Sequence, residues 1–203
     1  MELIPTNEEV TALLRETGAL RHGHFEYPNG MHADEYVQVA LAFRYYQHAK
    51  LLSVGLSRRL RADPEIRATI RELSIVCPNT GVPIAYGICE ALHAHQVYWA
   101  ETDGDAIPIR FKQFIEPAKG EKVLLVDDIF RSGRRLTELR ALIESFGAEV
   151  VGLAVAVYQP NPTTKDFGGL PLFYLAQRDA VYYKDSESCD LCRRGVPLEK
   201  IYF

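Results

Sequence analysis

A chain of 203 residues suits one domain with a small appendage, and at that size roughly 70% of the unfolded surface can be buried without a disulfide or metal staple. Its 47% hydrophobic and 25% charged fractions are ordinary for a globular protein, and a formal net charge of −4 argues against general nucleic-acid binding, which needs clustered Lys and Arg. No stretch approaches the ~18 apolar residues of a membrane span, and Met1 to Glu9 lack a signal peptide's basic start and apolar core, so a cytoplasmic protein with reduced cysteines is expected.

Thr6 or Asn7 can cap a first helix through about Thr17, with Val10, Leu13 and Leu14 on one face and Gly18 as a stop. Pro28-Asn29-Gly30 then signals a tight turn between short extended pieces. Residues 47–62 read as an amphipathic helix whose Ser57-Arg58-Arg59-Leu60-Arg61 run is a solvated face. Leu73 to Cys77 forms a first buried strand, Gly81 to His93 a helix, and Gln96 to Ala100 a second strand carrying Trp99.

Residues 101–120 lack periodicity over most of their length and carry Gly104, Pro108, Pro117 and Gly120, which predicts a long loop or hairpin of the kind that is usually functional. Val123 to Val126 is a third strand, followed by Asp127 and Asp128, a turn, and a helix with Leu136, Leu139, Leu142 and Ile143 at helical spacing. Val150 to Val157 and Leu172 to Ala176 supply a fourth and a fifth strand. The alternation predicts an α/β fold with a mostly parallel sheet flanked by helices on both faces. Residues 1–65 and 179–203 fall outside it and are expected to pack as a hood over the carboxyl edge of a 66–178 core.

Cys77 and Cys89 read as small core residues. Cys189-Asp190-Leu191-Cys192 has zinc-ligand spacing but stands as a single pair, so a tail turn with two thiols is the expectation. His22, His24 and His32 are too dispersed in sequence to call a metal site, and His93 and His95 fit the carbonyls at a helix end.

The third strand and its turn carry the chemistry. Backbone N–H groups of the Gly133 turn, at a helix N-terminus, form an anion cradle. Ionised Asp127 and Asp128 only accept hydrogen bonds, so they suit hydroxyl donors or a hydrated Mg2+. A ligand with both a phosphate and a diol, such as a ribose 5-phosphate, satisfies both halves. The segment matches neither G-x-x-x-x-G-K-[ST] nor G-x-G-x-x-G. Thr80 and Gly81 make a second glycine-containing strand-to-helix turn able to offer donors to an anion.

Val123 to Arg135 resembles the 5-phosphoribosyl-1-pyrophosphate (PRPP) motif of type I phosphoribosyltransferases: an apolar strand, two acidic residues, two apolar residues, then a Thr/Ser-Gly turn. Gly23 to Gln38 is similar to the orotate phosphoribosyltransferase signature G-x-F-x-L-x-S-G-x-x-S-x-x-Y, with Gly23, Phe25, Gly30 and Tyr36 in place. Val76 to Pro83, with Asn79, Thr80 and Gly81, resembles that family's short loop near pyrophosphate, and Cys189 to Leu198 the C-x-x-C-x-x-G-x-P tail of one bacterial branch.

The resemblance implies the type I phosphoribosyltransferase fold and transfer of a 5-phosphoribosyl group from PRPP to orotate or a related base, with Mg2+ and release of pyrophosphate. Asp127 and Asp128 then hold the ribose hydroxyls, and Ile129, Phe130, Arg131, Ser132, Gly133, Arg134 and Arg135 enclose the 5-phosphate. Mg2+ arrives with PRPP and reaches Asp127 or Asp128 through water, with no direct protein ligands. A homodimer is implied, with basic residues of the long loop closing over pyrophosphate.

Three departures qualify this expectation. Arg131 and Arg135 stand where small hydroxyl residues are usual, and the Arg135 guanidinium either binds phosphate or fills its pocket; Arg134 after glycine occurs in related regulators of this fold. Asp105 aligns with the family's loop lysine, leaving Arg110 or Lys112 to take its part if the register shifts. Tyr27, Asn29 and Ala33 replace a leucine and two serines. The alternative is a non-catalytic or regulatory protein of this fold that binds PRPP or a nucleotide.

Overall fold

The computed structural model describes residues 4–101, 109–111 and 116–202. Helix α1 (Asn7–Glu16) begins at a capping box formed by Thr6 and Glu9, the start that the sequence predicts. Strands β1 (Leu20–Glu26) and β2 (His32–Val37) form an antiparallel hairpin. Helices α2 (Ala40–Phe43), α3 (Tyr46–Ala62) and α4 (Pro64–Thr69) lead into β3 (Ser74–Pro78), a 3-10 turn at Asn79–Gly81, α5 (Val82–Leu92) and β4 (Gln96–Ala100). Then come β5 (Lys122–Phe130), α6 (Arg134–Ser145), β6 (Glu149–Tyr158), β7 (Leu172–Gln177), β8 (Tyr182–Tyr183), α7 (Asp190–Arg193) and β9 (Glu199–Lys200).

The main sheet has the order β4-β3-β5-β6-β7, and every pairing in it is parallel. Such strands are covered on both faces, which is why their sequences are apolar runs rather than alternations. Leu124, Val126, Ala154 and Ala156 share a buried core with Leu14 of α1, Leu52 and Leu56 of α3, and Ile84 and Ile88 of α5. The opposite face, with Val123, Leu125 and Val155, is covered by Leu136, Leu139 and Ile143 of α6. Among the described residues no helix is long and apolar enough to cross a membrane.

One local outcome differs from the sequence reading, and another agrees with its hairpin alternative. Strand β5 does not turn at the acidic pair but runs on to Phe130, because β6 continues to offer it partners: Asp127 pairs with Val155, Ile129 with Val157 and Phe130 with Tyr158. In the 101–120 segment, Glu101 and Arg110 exchange backbone hydrogen bonds as an antiparallel bridge, 2.9 and 3.0 Å. Asp105 and Lys112 lie outside the described residues.

A second sheet, β8-β2-β1-β9, joins both ends of the chain into the hood. A bulge between His22 and Phe25 turns consecutive residues His24 and Phe25 inward, against the alternation of a regular strand. This corrects the reading of the histidines as dispersed: His24 and His32, each 3% exposed, meet across the hairpin beside Cys189 and Cys192. His22 instead lies 3.7 Å from Glu35.

The hood is fastened to the core through Glu35 on β2, which is only 3% exposed. Arg178, just past β7, donates to both of its carboxylate oxygens, and Gln159 Nε2, just past β6, donates to Oε1 at 3.0 Å. Gln159 Oε1 in turn accepts from Arg131 Nε at 2.9 Å, and Arg131 Nη2 donates to the Val37 carbonyl at the end of β2. Removing one partner of a buried ion pair strands the other charge. Arg178→Ala is therefore expected to cost about 3–5 kcal/mol in urea unfolding. The double variant Arg178→Ala/Glu35→Leu should recover much of that loss, and additive losses would show that the pair is not coupled.

Candidate active site at the carboxyl edge of the parallel sheet

The chain leaves β3 toward β4 on one side and leaves β5 toward β6 on the other, so the carboxyl ends of β3 and β5 flank a topological switch point, where open α/β sheets bind ligands. Asn79–Gly81 closes one wall of that crevice, and Asp127 to Arg135 forms the other. The two walls touch. A Cβ at Gly81 would lie 3.0 Å from the Val126 carbonyl oxygen and 3.1 Å from Asp127 Cα, so glycine is what lets the loop press against β5. Thr80 Oγ1 then donates to Asp127 Oδ1 at 3.2 Å.

Asp127 and Asp128 are 5% and 9% exposed. Burial first, and then the neighbouring Asp128 charge, pushes the Asp127 carboxyl well above its ordinary range. Burial also raises Asp128, opposed by the positive charges of Arg131 and Arg135. Besides Thr80, Asp127 accepts the Asp128 N–H at 2.9 Å. A buried acidic pair raised in this way gains from hydroxyl donors or a hydrated cation, so these acceptors fit a ribose diol or a water-bound Mg2+.

Past Phe130 the strand becomes a helix through Gly133, whose φ of +75° is left-handed and whose Cβ would meet the Phe130 ring at 2.6 Å. The first N–H groups of α6 have no acceptor within the helix, and its dipole favours an anion there. The turn is held from behind: Thr164 Oγ1 donates to the Arg131 carbonyl at 2.6 Å and the Lys165 N–H to the Ser132 carbonyl at 2.9 Å. Ser132 Oγ accepts the Arg134 N–H at 3.4 Å.

The sequence-predicted residues are used unequally. Arg131 turns away from the crevice and lies over the rings of Tyr27 and Tyr36, 5.5 Å from each centroid. Arg135 reaches across it, Nη1 donating to Thr80 Oγ1 at 3.4 Å. Arg134 faces Glu138 at 3.8 Å along the exposed side of α6. Ile129 is partly buried, and Phe130 packs edge-on to Phe167 in the core. Phe25 and Tyr36 pack on each other within the hood, 5.8 Å between centroids, and Gly30 forms the hairpin tip at φ +81°. Arg110 is placed by its backbone bridge to Glu101, and Lys112 lies outside the described residues.

Sequence reasoning missed Glu35, Gln159 and Arg178. Gln159 follows an apolar strand run directly, as Asp127 does, and Arg178 follows one after Gln177, so the strand-end rule could have found them. Glu35 carries no such signal, because its burial depends on a partner 143 positions away.

Residues 68–168 match the family model described as phosphoribosyl transferase domain. The orotate phosphoribosyltransferase of Thermotoga maritima is 31% identical over 193 residues, covering 94% of this chain and 96% of that protein. Its counterpart from Carboxydothermus hydrogenoformans is 32% identical over 189 residues, covering 93% of each. The crystal structure of orotate phosphoribosyltransferase from Aeropyrum pernix superposes with a TM-score of 0.65 at 18% identity, covering 83% of this chain and 93% of that one, a likeness of fold.

The acidic pair has a signature in stability. Because Asp127 holds its proton to higher pH in the folded chain than in the unfolded one, the unfolded state loses its proton first as pH rises, and stability falls between the two values. Asp127→Asn keeps the acceptor and removes the charge. It is expected to melt at a higher temperature than the unaltered chain at neutral pH, an advantage that shrinks as the pH drops toward the ordinary carboxylate range. A melting temperature unchanged at every pH would contradict the uncompensated burial.

Proposed function

The chain belongs to the orotate phosphoribosyltransferase family, and we propose on that footing that it transfers a 5-phosphoribosyl group from PRPP to orotate in the cytoplasm, releasing pyrophosphate. The observation that carries this reading is the buried Asp127 and Asp128 pair at the switch point, one turn of chain before the start of α6. Diol acceptors and an anion-favouring helix start occupy the two ends of one short crevice.

In this reading Asp127 and Asp128 accept from the ribose hydroxyls, and the turn from Arg131 to Arg135, led into by Ile129 and Phe130 at the end of β5, takes the 5-phosphate on its backbone N–H groups. Asn79, Thr80 and Gly81 lie on the pyrophosphate side, where Arg135 adds a positive charge. Arg110 and Lys112 belong to the segment that covers the leaving group. The bond from ribose C1 to the pyrophosphate oxygen breaks with its electron pair going to pyrophosphate, and a ring nitrogen of the base forms the new bond at C1, its proton leaving to water. Charge on the sugar peaks between these events, so the residues act by fixing the reactants in line and by balancing charge. Mg2+, when bound, would supply positive charge to the pyrophosphate, and Asp127 or Asp128 would hold it through water. Phe25, Gly30 and Tyr36 shape the hood over the crevice, and the active unit is a homodimer.

The test is turnover of PRPP and orotate with Mg2+, followed by loss of orotate absorbance. Asp127→Ala and Asp128→Ala are each expected to weaken PRPP binding by ~1.5–3 kcal/mol in calorimetry, as lost hydrogen bonds to charged groups do. Unchanged affinity in both would contradict the assignment. The hydrogen bond from Arg135 to Thr80 also admits a second reading, a regulatory module in which that side chain closes the phosphate turn. Arg135→Ala separates the two. Weaker PRPP binding, by about 1.5–3 kcal/mol, is expected if the guanidinium serves phosphate, and tighter binding if it blocks the turn.

A further inference from the structure

We infer that His24, His32, Cys189 and Cys192 form a structural zinc site that ties the carboxyl-terminal segment to the β1–β2 hairpin. One ligand atom from each of the four side chains lies within 4.8 Å of the others. His24 Nε2 is 3.5 Å from Cys189 Sγ and 3.5 Å from Cys192 Sγ, and His32 Nδ1 is 3.4 Å from Cys192 Sγ. A tetrahedral zinc with bonds of about 2.3 Å to sulfur and about 2.0–2.1 Å to nitrogen separates S and N ligands by about 3.5 Å. The two ring nitrogens, 2.8 Å apart, need only a small ring rotation to reach the ~3.3 Å edge of the same tetrahedron.

The surroundings suit a metal as well as the ligands do. His24 Nδ1 lies 2.9 Å from the Val196 carbonyl, which fixes the proton on that nitrogen and leaves the Nε2 lone pair directed at the cysteines. Val196 is brought there by the cysteine turn itself. Gly195 takes a left-handed φ of +66°, and the Val196 N–H returns to the Leu191 carbonyl at 3.0 Å. One short loop thus supplies two ligands and the outer partner of a third. Cys189 is fully buried, and neither it nor Cys192 is in a disulfide.

Two thiolates and two neutral imidazoles around Zn2+ leave no net charge in the buried cluster, and four protein ligands leave no open position for chemistry. The role is therefore in the fold. Strand β9, only two residues long, pairs with Phe25 and Glu26 next to the cluster. Its side-chain ties, Arg21 to Glu199 and Lys200 to Glu26, lie at the surface and are of the kind that adds little. The inference does not rest on the phosphoribosyl reading, since none of the four residues belongs to that crevice.

The experiment measures metal in the full-length chain, purified under reducing conditions with any affinity tag removed. About one zinc per chain is expected, falling below a tenth of that in Cys189→Ser/Cys192→Ser. Absence of stoichiometric zinc even after reconstitution, or full occupancy in the double variant, would overturn the site. Serine variants that fail to fold would also lose metal, so the unaltered chain is loaded with Co2+ as a second measurement. Intense tetrahedral ligand-field bands with thiolate-to-cobalt charge transfer are expected, and a weak octahedral spectrum would refute the proposal. A strong chelator should lower the melting temperature, with recovery on adding Zn2+ and none with Mg2+. A Cys189–Cys192 disulfide, with melting indifferent to chelator, would assign the pair to redox chemistry instead.

Discussion

Two carboxylates held out of water at the end of the central strand set the terms for everything near them. Asp127 and Asp128 are placed there by the parallel ladder, because β5 stays paired with β6 beyond the acidic pair and cannot swing them into solvent. Each is raised above its ordinary range by burial, and the partial compensation comes from two arginines of the next turn. An apolar pair at those positions would serve stability better, so the arrangement makes sense only if something supplies donors or positive charge at the crevice.

Arg131 shows how a residue that looks wrong for a phosphate turn can be right for the molecule. A bulky cation beside the turn threatens to fill it, yet its guanidinium is drawn off by Gln159, by the Val37 carbonyl, and by the faces of Tyr27 and Tyr36. The same side chain therefore lowers the cost of the Asp128 charge and anchors the hood. Tyr27, which stands in place of the usual leucine, supplies one of the two faces on which Arg131 rests. The substitutions at 27 and 131 are thus intelligible as a pair, which neither is alone.

Strong local signals were the legible ones. The five parallel strands and the helices between them could be read because each buried strand is a continuous apolar run and each helix carries a stripe. The cap at Thr6 and the turn at Gly133 could be read because each depends on near neighbours in the chain. What could not be read depends on distant partners. Strands β8 and β9 are two residues long and have no period to detect. Glu35 looks like a surface acid until Arg178 and Gln159 are placed around it, and His24 looks unremarkable until a bulge turns it inward toward the cysteines.

The hood poses the harder physical problem, because its own core is small. Phe25, Tyr27, Ala33, Tyr36 and Ile201 make up its buried apolar cluster, too few side chains to order four strands by burial alone. Leu20 of β1 and Val37 of β2 reach into the main core, and polar ties at two places add to that packing. The Glu35 network fixes β2 to the ends of β5, β6 and β7, and the histidine-cysteine cluster fixes the tail to β1 and β2. Such ties are directional where apolar packing is not, and a directional tie can hold Tyr36 and the hairpin in register with Arg131 at the edge of the crevice. Part of the geometry at the crevice edge is thus set from the hood, through Glu35, Gln159 and Arg178.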